Sequence, residues 1–332
     1  MAENPLFVVL GSNSFSGASF VSFLLKNGYP TIGMSRSEEP HEALLPYRWT
    51  KTDTPFAFHQ LDLNNDLAAI CDLIAEKRAP YVVNFAAQSM VAESWINPDH
   101  WFMTNAVSTV KLHEALRKMD FLKRYVHIST PEVYGSTAGD VTESFPFNPS
   151  TPYAVSRAAA DMSLRTFHAA YGFPVVSTRA ANVFGPGQQL YRIIPRTILY
   201  IRLGKKLMLH GGGTSERSFI HIDDVSDATL RIALNGHNGD TYHISTTRQI
   251  SIRDLVAMIC ERMGKKLEDV AEVVGERIGK DAAYWLNSNK LRNELGWRDT
   301  ISLEQGIEET IAWIDRYLPQ LEQLPQSYIH KP

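Results

Sequence analysis

The sequence predicts a doubly wound α/β protein: a parallel sheet covered by helices on both faces, with a smaller mixed α/β lobe in the carboxyl half. Three observations carry this. Short β-rich apolar runs alternate with segments of helical period through the first half of the 332 residues, and parallel strands need such crossover helices. The first run ends in a glycine-containing turn, GSNSFSG (11–17), that opens directly into a helical segment. After Pro186 the alternation gives way to mixed helices, short strands and more frequent Gly and Arg.

Strands are expected at LFVVLG (6–11), PTIGMS (30–35), FAFHQLDL (56–63), YVVNFAA (81–87), KRYVHIST (123–130) and VVSTRAANVFG (175–185). Each is a short apolar run rich in β-branched or aromatic residues. Helices are expected at 17–28, 66–77, 104–119 and 153–171, where apolar positions fall three or four apart. Two later helices, SIRDLVAMICERMG and SLEQGIEETIAWIDRYL, open on the capping pairs Ser251 with Asp254 and Ser302 with Gln305. The expected division places residues 1–182, with about 218–245, in the sheet domain. Residues 183–217 and 246–325 form the lobe at the carboxyl edge of the sheet, where ligands of such folds bind.

Composition narrows the function. The chain is 44% hydrophobic and 21% charged with a formal net charge of −3, ordinary for a globular protein. No run of like charge suits a nucleic acid or an anionic membrane. Cys71 and Cys260 are the only cysteines, far apart and without a Cys/His spacing, which argues against a disulfide framework or any metal centre and points to the reducing cytosol. The opening MAENPLFVVLG reads as a first strand, not as a leader or a span of about 20 apolar residues.

The turn from Gly11 through Ser12, Asn13, Ser14, Phe15 and Ser16 to Gly17 joins the first strand to the first helix, so a helix amino terminus faces any anion held there. That suits the pyrophosphate of a dinucleotide, although Ser14 stands at the middle glycine of the usual G-x-x-G-x-x-G spacing, and a plain glycine turn would look alike. After strand two a carboxylate would accept the ribose hydroxyls of NAD, whereas an arginine would pair with the 2′-phosphate of NADP. Ser35 and Arg36 precede Glu38 here, so the cofactor is read as NAD(P), leaning to NADP. Asp62 and Leu63 are placed to edge the adenine, and Ala86 and Ala87 leave room for the cofactor.

Strand five ends in HISTPEVYGS (127–136), bringing Thr130, Glu132 and Tyr134 to the sheet's carboxyl edge. YAVSR follows, with Tyr153 and Arg157 one helical turn apart. Together with NFAAQSMV (84–91), NVFGPGQ (182–188), IIP (193–195) and SERSFIHIDDVSDA (215–228), these motifs resemble the extended short-chain dehydrogenase/reductases acting on nucleotide sugars. Within that superfamily the chain is most similar to the dTDP-glucose and GDP-mannose 4,6-dehydratases, over residues 6 to about 317.

The resemblance implies a Rossmann fold, a homodimer through helices 104–119 and 153–171, and a cofactor site that also takes in Gln88, Asn105, Tyr153 and Arg157. It further implies an internal redox cycle. Tyr153 as phenolate takes the proton of the sugar 4-hydroxyl, Thr130 holds that hydroxyl, and hydride passes from C4 to the nicotinamide. Glu132 then removes the C5 proton, water leaves from C6, and hydride returns there. A free phenol has a pKa near 10, so Tyr153 needs a nearby cation, and Arg157 with the oxidised nicotinamide is expected to supply it.

Two positions depart from the pattern. Pro131 stands where the dTDP-glucose enzymes carry an acid, leaving Glu132 to shuttle the proton itself. Arg157 stands where the lysine of Tyr-x-x-x-Lys belongs. For a nucleoside diphosphate the sequence offers Arg192, Arg217 and Arg277, with Asn182 after strand six for a phosphate or sugar hydroxyl. Nucleotide-hexose 4,6-dehydration is the first reading. A nucleotide-sugar decarboxylase or 4-epimerase is the second, and a nucleotide-binding regulator without turnover the third.

Overall fold

A computed structural model describes residues 4–137, 140–144, 147–275 and 285–331. Seven strands form one parallel sheet: β1 (Phe7–Leu10), β2 (Thr31–Ser35), β3 (Phe56–Gln60), β4 (Tyr81–Asn84), β5 (Arg124–Ile128), β6 (Val175–Ala180) and β7 (Thr241–Ile244). Their order is β7-β6-β5-β4-β1-β2-β3. The chain therefore winds outward from β1 in one direction, then returns to β4 and winds in the other. That reversal opens a crevice between the carboxyl ends of β1 and β4, the binding position of doubly wound sheets.

Alternation along β1 shows why the strands read as continuous apolar runs. Val8 and Leu10 pack with Ile70 and Ile74 of α2 (Leu67–Glu76), Leu112 and Leu116 of α3 (Thr109–Leu116), and Leu164 of α4 (Pro152–Tyr171). Phe7 and Val9 face the other way, against Phe20 and Leu24 of α1 (Phe15–Lys26) and Leu230 of the helix Ile222–Asn235. Both faces are covered, so each side chain of the strand contributes about 1.5–3 kcal/mol of burial.

The carboxyl half builds its own core from Phe184, from Ile194 and Leu199 of α5 (Ile193–Arg202), from Leu255 of the helix Ile252–Arg262, and from Ile307 and Ile314 of the helix Leu303–Leu321. Both expected caps form: Ser251 Oγ accepts from Asp254 N and Ser302 Oγ from Gln305 N. No helix among the described residues is long and apolar enough to cross a membrane.

Besides β7, which is absent from the expected strands, two elements differ from the sequence expectation. The apolar run 175–185 is not one strand. Ala181 N still donates to Ile244 O of β7, but Asn182 N donates to Ser218 O, and Asn182–Phe184 leaves the sheet to pair with Phe219–His221. The helix expected at 104–119 begins earlier, at Pro98–Phe102, and passes through a π-helical stretch, Met103–Ser108, before α3. Such bulges are frequent near functional sites, and this one carries Asn105.

Candidate active site

Gly11 has φ +78°, and a Cβ there would sit 2.7 Å from Ala86 N. The loop after β1 thus runs directly against the segment after β4, and only glycine permits both the conformation and the approach. Ser14, in place of a glycine, caps α1: its Oγ accepts from Gly17 N (3.1 Å) and donates to Gly11 O (2.7 Å). The serine stitches the loop, and Gly17 is needed because a Cβ there would meet Gly11 O and Ser14 Oγ.

Asn13 N donates to Ser35 Oγ at 2.9 Å and Asn13 Nδ2 to the carbonyls of Ser37 and Glu38, which ties the first loop to the one after β2. Phe15 is buried and packs in the sheet's core, so only its main chain reaches the loop, while Ser16 remains partly exposed.

Beside these loops lies a cavity of about 370 Å³, lined by Gly11, Asn13, Ser14, Ser35, Arg36, Asp62, Leu63, Ala86, Ala87 and Gln88, with Glu38 also on its wall. Its volume is in the range of ligand pockets. Ser12 Oγ, fully buried at the loop, has no partner among the described residues. An orphaned hydroxyl, a glycine cradle and a helix amino terminus together fit a dinucleotide pyrophosphate. Asn105, expected at the cofactor site, is tied to one of that cavity's lining residues, Gln88. It is fully buried, its Oδ1 accepts from Gln88 N (2.8 Å), and its Nδ2 donates to Gln88 O (2.9 Å) and Ser156 Oγ (3.0 Å). Its amide shapes the loop after β4 and locks it to α4.

Past the cavity, Thr130 ends the run from β5 in extended conformation and caps a single 3-10 turn, Pro131–Tyr134, its Oγ1 accepting from Glu132 N at 3.4 Å. Proline suits the first position of that turn, where no internal N–H bond is lost. Pro131 therefore stiffens the turn that presents the partly exposed Glu132.

α4 is capped by Thr151 and has Pro152 in its first turn. Tyr153 follows, 8% exposed, with its N–H on Ser94 Oγ and its hydroxyl hydrogen-bonded to Thr130. Burial, then the charge of Glu132, pushes the phenol up to about 12, against the opposing pull of Arg157, Thr130 and Arg192. Arg157 pulls the phenol down, as expected of a cation one turn away, but desolvation is the larger influence.

Arg157 is itself engaged with β5. Its Nη2 donates to Ile128 O on β5 and lies 3.3 Å from His127 Nε2, with the whole side chain 2% exposed. Asp161, one turn further along α4, accepts from Arg179 Nη2 (2.6 Å) and Ser129 Oγ (2.7 Å), with Oδ1 3.4 Å from His127 Nε2. Burial pushes this carboxyl up, but Arg179, His127 and Ser129 outweigh burial and hold it well below the ordinary carboxylate range. His127, Asp161, Arg179 and Ser94 were not anticipated. The four-residue step from Arg157 to Asp161 was the one sequence signal for this set.

On the substrate side, Asn182 Nδ2 donates to Ser218 O at 3.2 Å, which brings it beside Arg217 on the short strand Glu216–Arg217. Arg192 immediately precedes α5, its guanidinium 5.5 Å from the Tyr191 ring centre, and its charge is felt at Tyr153. Arg277 lies outside the described residues.

A dinucleotide crevice at the β1/β4 reversal, with a Thr/Tyr pair and a carboxylate at its end, defines an enzyme of the nicotinamide-dependent, nucleotide-sugar-modifying short-chain dehydrogenase/reductase class. More narrowly, the chain belongs to the GDP-mannose 4,6-dehydratase family, whose profile matches residues 8–310. It is 34% identical to the dTDP-glucose 4,6-dehydratase of Mycolicibacterium smegmatis over 315 residues, 92% of each chain. It is also 34% identical to that of Xanthomonas campestris pv. campestris over 268 residues, 75% of this chain and 76% of that one. Among solved structures, the dTDP-glucose 4,6-dehydratase DesIV of Streptomyces venezuelae with NAD bound superposes with a TM-score of 0.86 at 29% identity, covering 94% of this chain and 97% of that one. The UDP-glucose 4-epimerase of Thermotoga maritima reaches 0.84 at 26% identity, covering 94% and 99%.

Proposed function

We propose that this chain is a nucleotide-hexose 4,6-dehydratase that converts an NDP-hexose to an NDP-4-keto-6-deoxyhexose. The observation that carries the proposal is Glu132, two residues past Thr130 in the turn that Thr130 caps, within electrostatic reach of Tyr153. A nicotinamide dinucleotide held by the loops around Gly11, Ser14, Ala86 and Gln88 would supply reversible hydride chemistry beside the sugar.

The chain's own residues do the rest. Thr130 orients the 4-hydroxyl, and Tyr153 takes its proton. Burial holds the phenol near 12, Arg157 and the Thr130 hydrogen bond pull it down, and the positive charge of a bound oxidised nicotinamide would add to that pull. Glu132 removes the C5 proton once the 4-ketone has acidified it. With Pro131 unable to donate, the same carboxyl delivers its proton to the departing C6 hydroxyl.

Arg36 on the cavity wall supports NADP over NAD, a preference that competition between the two dinucleotides measures. Arg192, Arg217, Arg277 and Asn182 are assigned to the nucleoside diphosphate and sugar. Met103 and Val107 on one helical run, and Val155 and Met162 on α4, are exposed large apolar residues, which supports a homodimer with a four-helix contact.

Incubating the protein with candidate NDP-hexoses tests the reaction. The expected product gives the alkali-induced near-ultraviolet absorbance of a 4-keto-6-deoxy sugar with no net change in cofactor, and Glu132→Gln abolishes it. Carbon dioxide from an NDP-uronic acid would decide for the decarboxylase. Unchanged product formation by Glu132→Gln would remove this carboxyl from its role.

A further inference from the structure

Beyond the helix Leu303–Leu321 the chain does not stop at the lobe. Gln326 is held by Arg196 Nη2 on its carbonyl and by Lys205 Nζ on its side chain (2.9 Å). The Tyr328 ring then meets Tyr191 edge to face at 5.8 Å, and its hydroxyl lies 3.3 Å from His330 Nδ1. The His330 ring lies parallel to His100 and to Trp101, 5.1 Å from each centre, and its Nε2 is 2.8 Å from His100 Nδ1. Finally Lys331 O accepts from Gln88 Nε2 (2.7 Å) and Arg36 Nη2 (3.2 Å), while Lys331 Nζ donates to Ser37 Oγ (3.2 Å).

This path joins the two banks of the crevice. Gln88 stands on the loop after β4, Arg36 and Ser37 on the loop after β2, and all three line the same cavity with Lys331. Of the segment, Lys331 stands on the wall of that cavity, whose volume is about 370 Å³. We propose that residues 325–331 are a strap of the dinucleotide site, which closes over a bound nicotinamide dinucleotide and governs its exchange. The strap rests on the dinucleotide reading of the cavity, and on no particular sugar. Its chemistry agrees with an internal redox cycle: the hydride returns to the product, so the cofactor need not leave between turnovers, and slow exchange does not limit the reaction.

The test uses the full chain with NADPH and NADH as fluorescent probes, in the wild type and in His330→Ala and Tyr328→Ala. Each variant loses an aromatic anchor at a partly exposed position, and its melting temperature is checked against the wild type. Stopped-flow displacement by excess unlabelled dinucleotide is expected to show release at least tenfold faster in His330→Ala, with association also faster. An unchanged release rate in both folded variants overturns the strap while leaving the dinucleotide site standing. Faster association with unchanged release also overturns it, because the segment would then obstruct the site and not retain its ligand. A wild type that binds neither probe removes the dinucleotide reading and the strap with it.

Discussion

Arg157→Lys probes the most unusual residue of the site. Arg157 is 2% exposed, and its Nη2 serves Ile128 O and His127. A lysine ammonium stops one bond short of that position. Losing one hydrogen bond from a charged group costs about 1.5–3 kcal/mol, and at about 2–4 °C per kcal/mol the melting temperature should fall by roughly 3–12 °C. The charge stays beside Tyr153, so a change of about one pKa unit in the phenol limits the loss of kcat to about tenfold. Differential scanning calorimetry reads the first effect, and initial rates with a converted NDP-hexose read the second. Arg157→Met is the control. Removing a charge that lowers the Tyr153 pKa raises it further, so the rising limb of the pH–rate profile should move to higher pH. A lysine variant that melts like the wild type yet is inactive would refute the reasoning, because the pocket would then need the guanidinium plane itself.

Three further outcomes are expected. Tyr153→Phe removes the hydroxyl that is hydrogen-bonded to Thr130 and proposed to accept the sugar proton, and turnover should fall below detection while dinucleotide binding, followed by fluorescence titration, persists. Asp161→Asn leaves Arg179 buried without its countercharge, a loss of about 3–5 kcal/mol measurable by urea unfolding. Because the folded carboxyl titrates below its unfolded value of about 3.9, its contribution is complete above that pH and fades as pH falls below it. The variant should accordingly lose part of the wild type's acid-side decline in stability, and an identical decline would count against it. Met162→Asp, on the exposed apolar face of α4, should shift the proposed homodimer to monomer by light scattering at unchanged melting cooperativity, and a wild type that is already monomeric would overturn the dimer.

Much of the fold was legible because the signals were local. Six of the sheet's strands were found within a few residues of their ends, as apolar runs whose alternating side chains are buried on both faces. The two caps at Ser251 and Ser302 follow from side-chain reach over three residues. β7 escaped because TYHI (241–244) is short and sits in a region of mixed pattern. The division of 175–185 escaped because both halves are apolar, and the switch of partner from Ile244 to Ser218 is invisible along the chain. Ser14, which stands at the middle-glycine position of the loop spacing, is the cap of α1.

The kinds of residue at the site, and their order, were written in the chain: Gly11, Thr130, Glu132 and Tyr153 lie at strand ends or a helix start, where a doubly wound sheet must place them. What the tertiary structure decided is where their charges act. Arg157 is drawn under β5 toward Ile128 and His127, Asp161 is held by Arg179, and burial sets the Tyr153 phenol high. The segment around Lys331 returns across some 295 positions to Arg36. Spacing along a helix or strand reports neighbours within a turn. Desolvation and pairing depend on everything that folds around a group, so they arise only when the chain is closed upon itself.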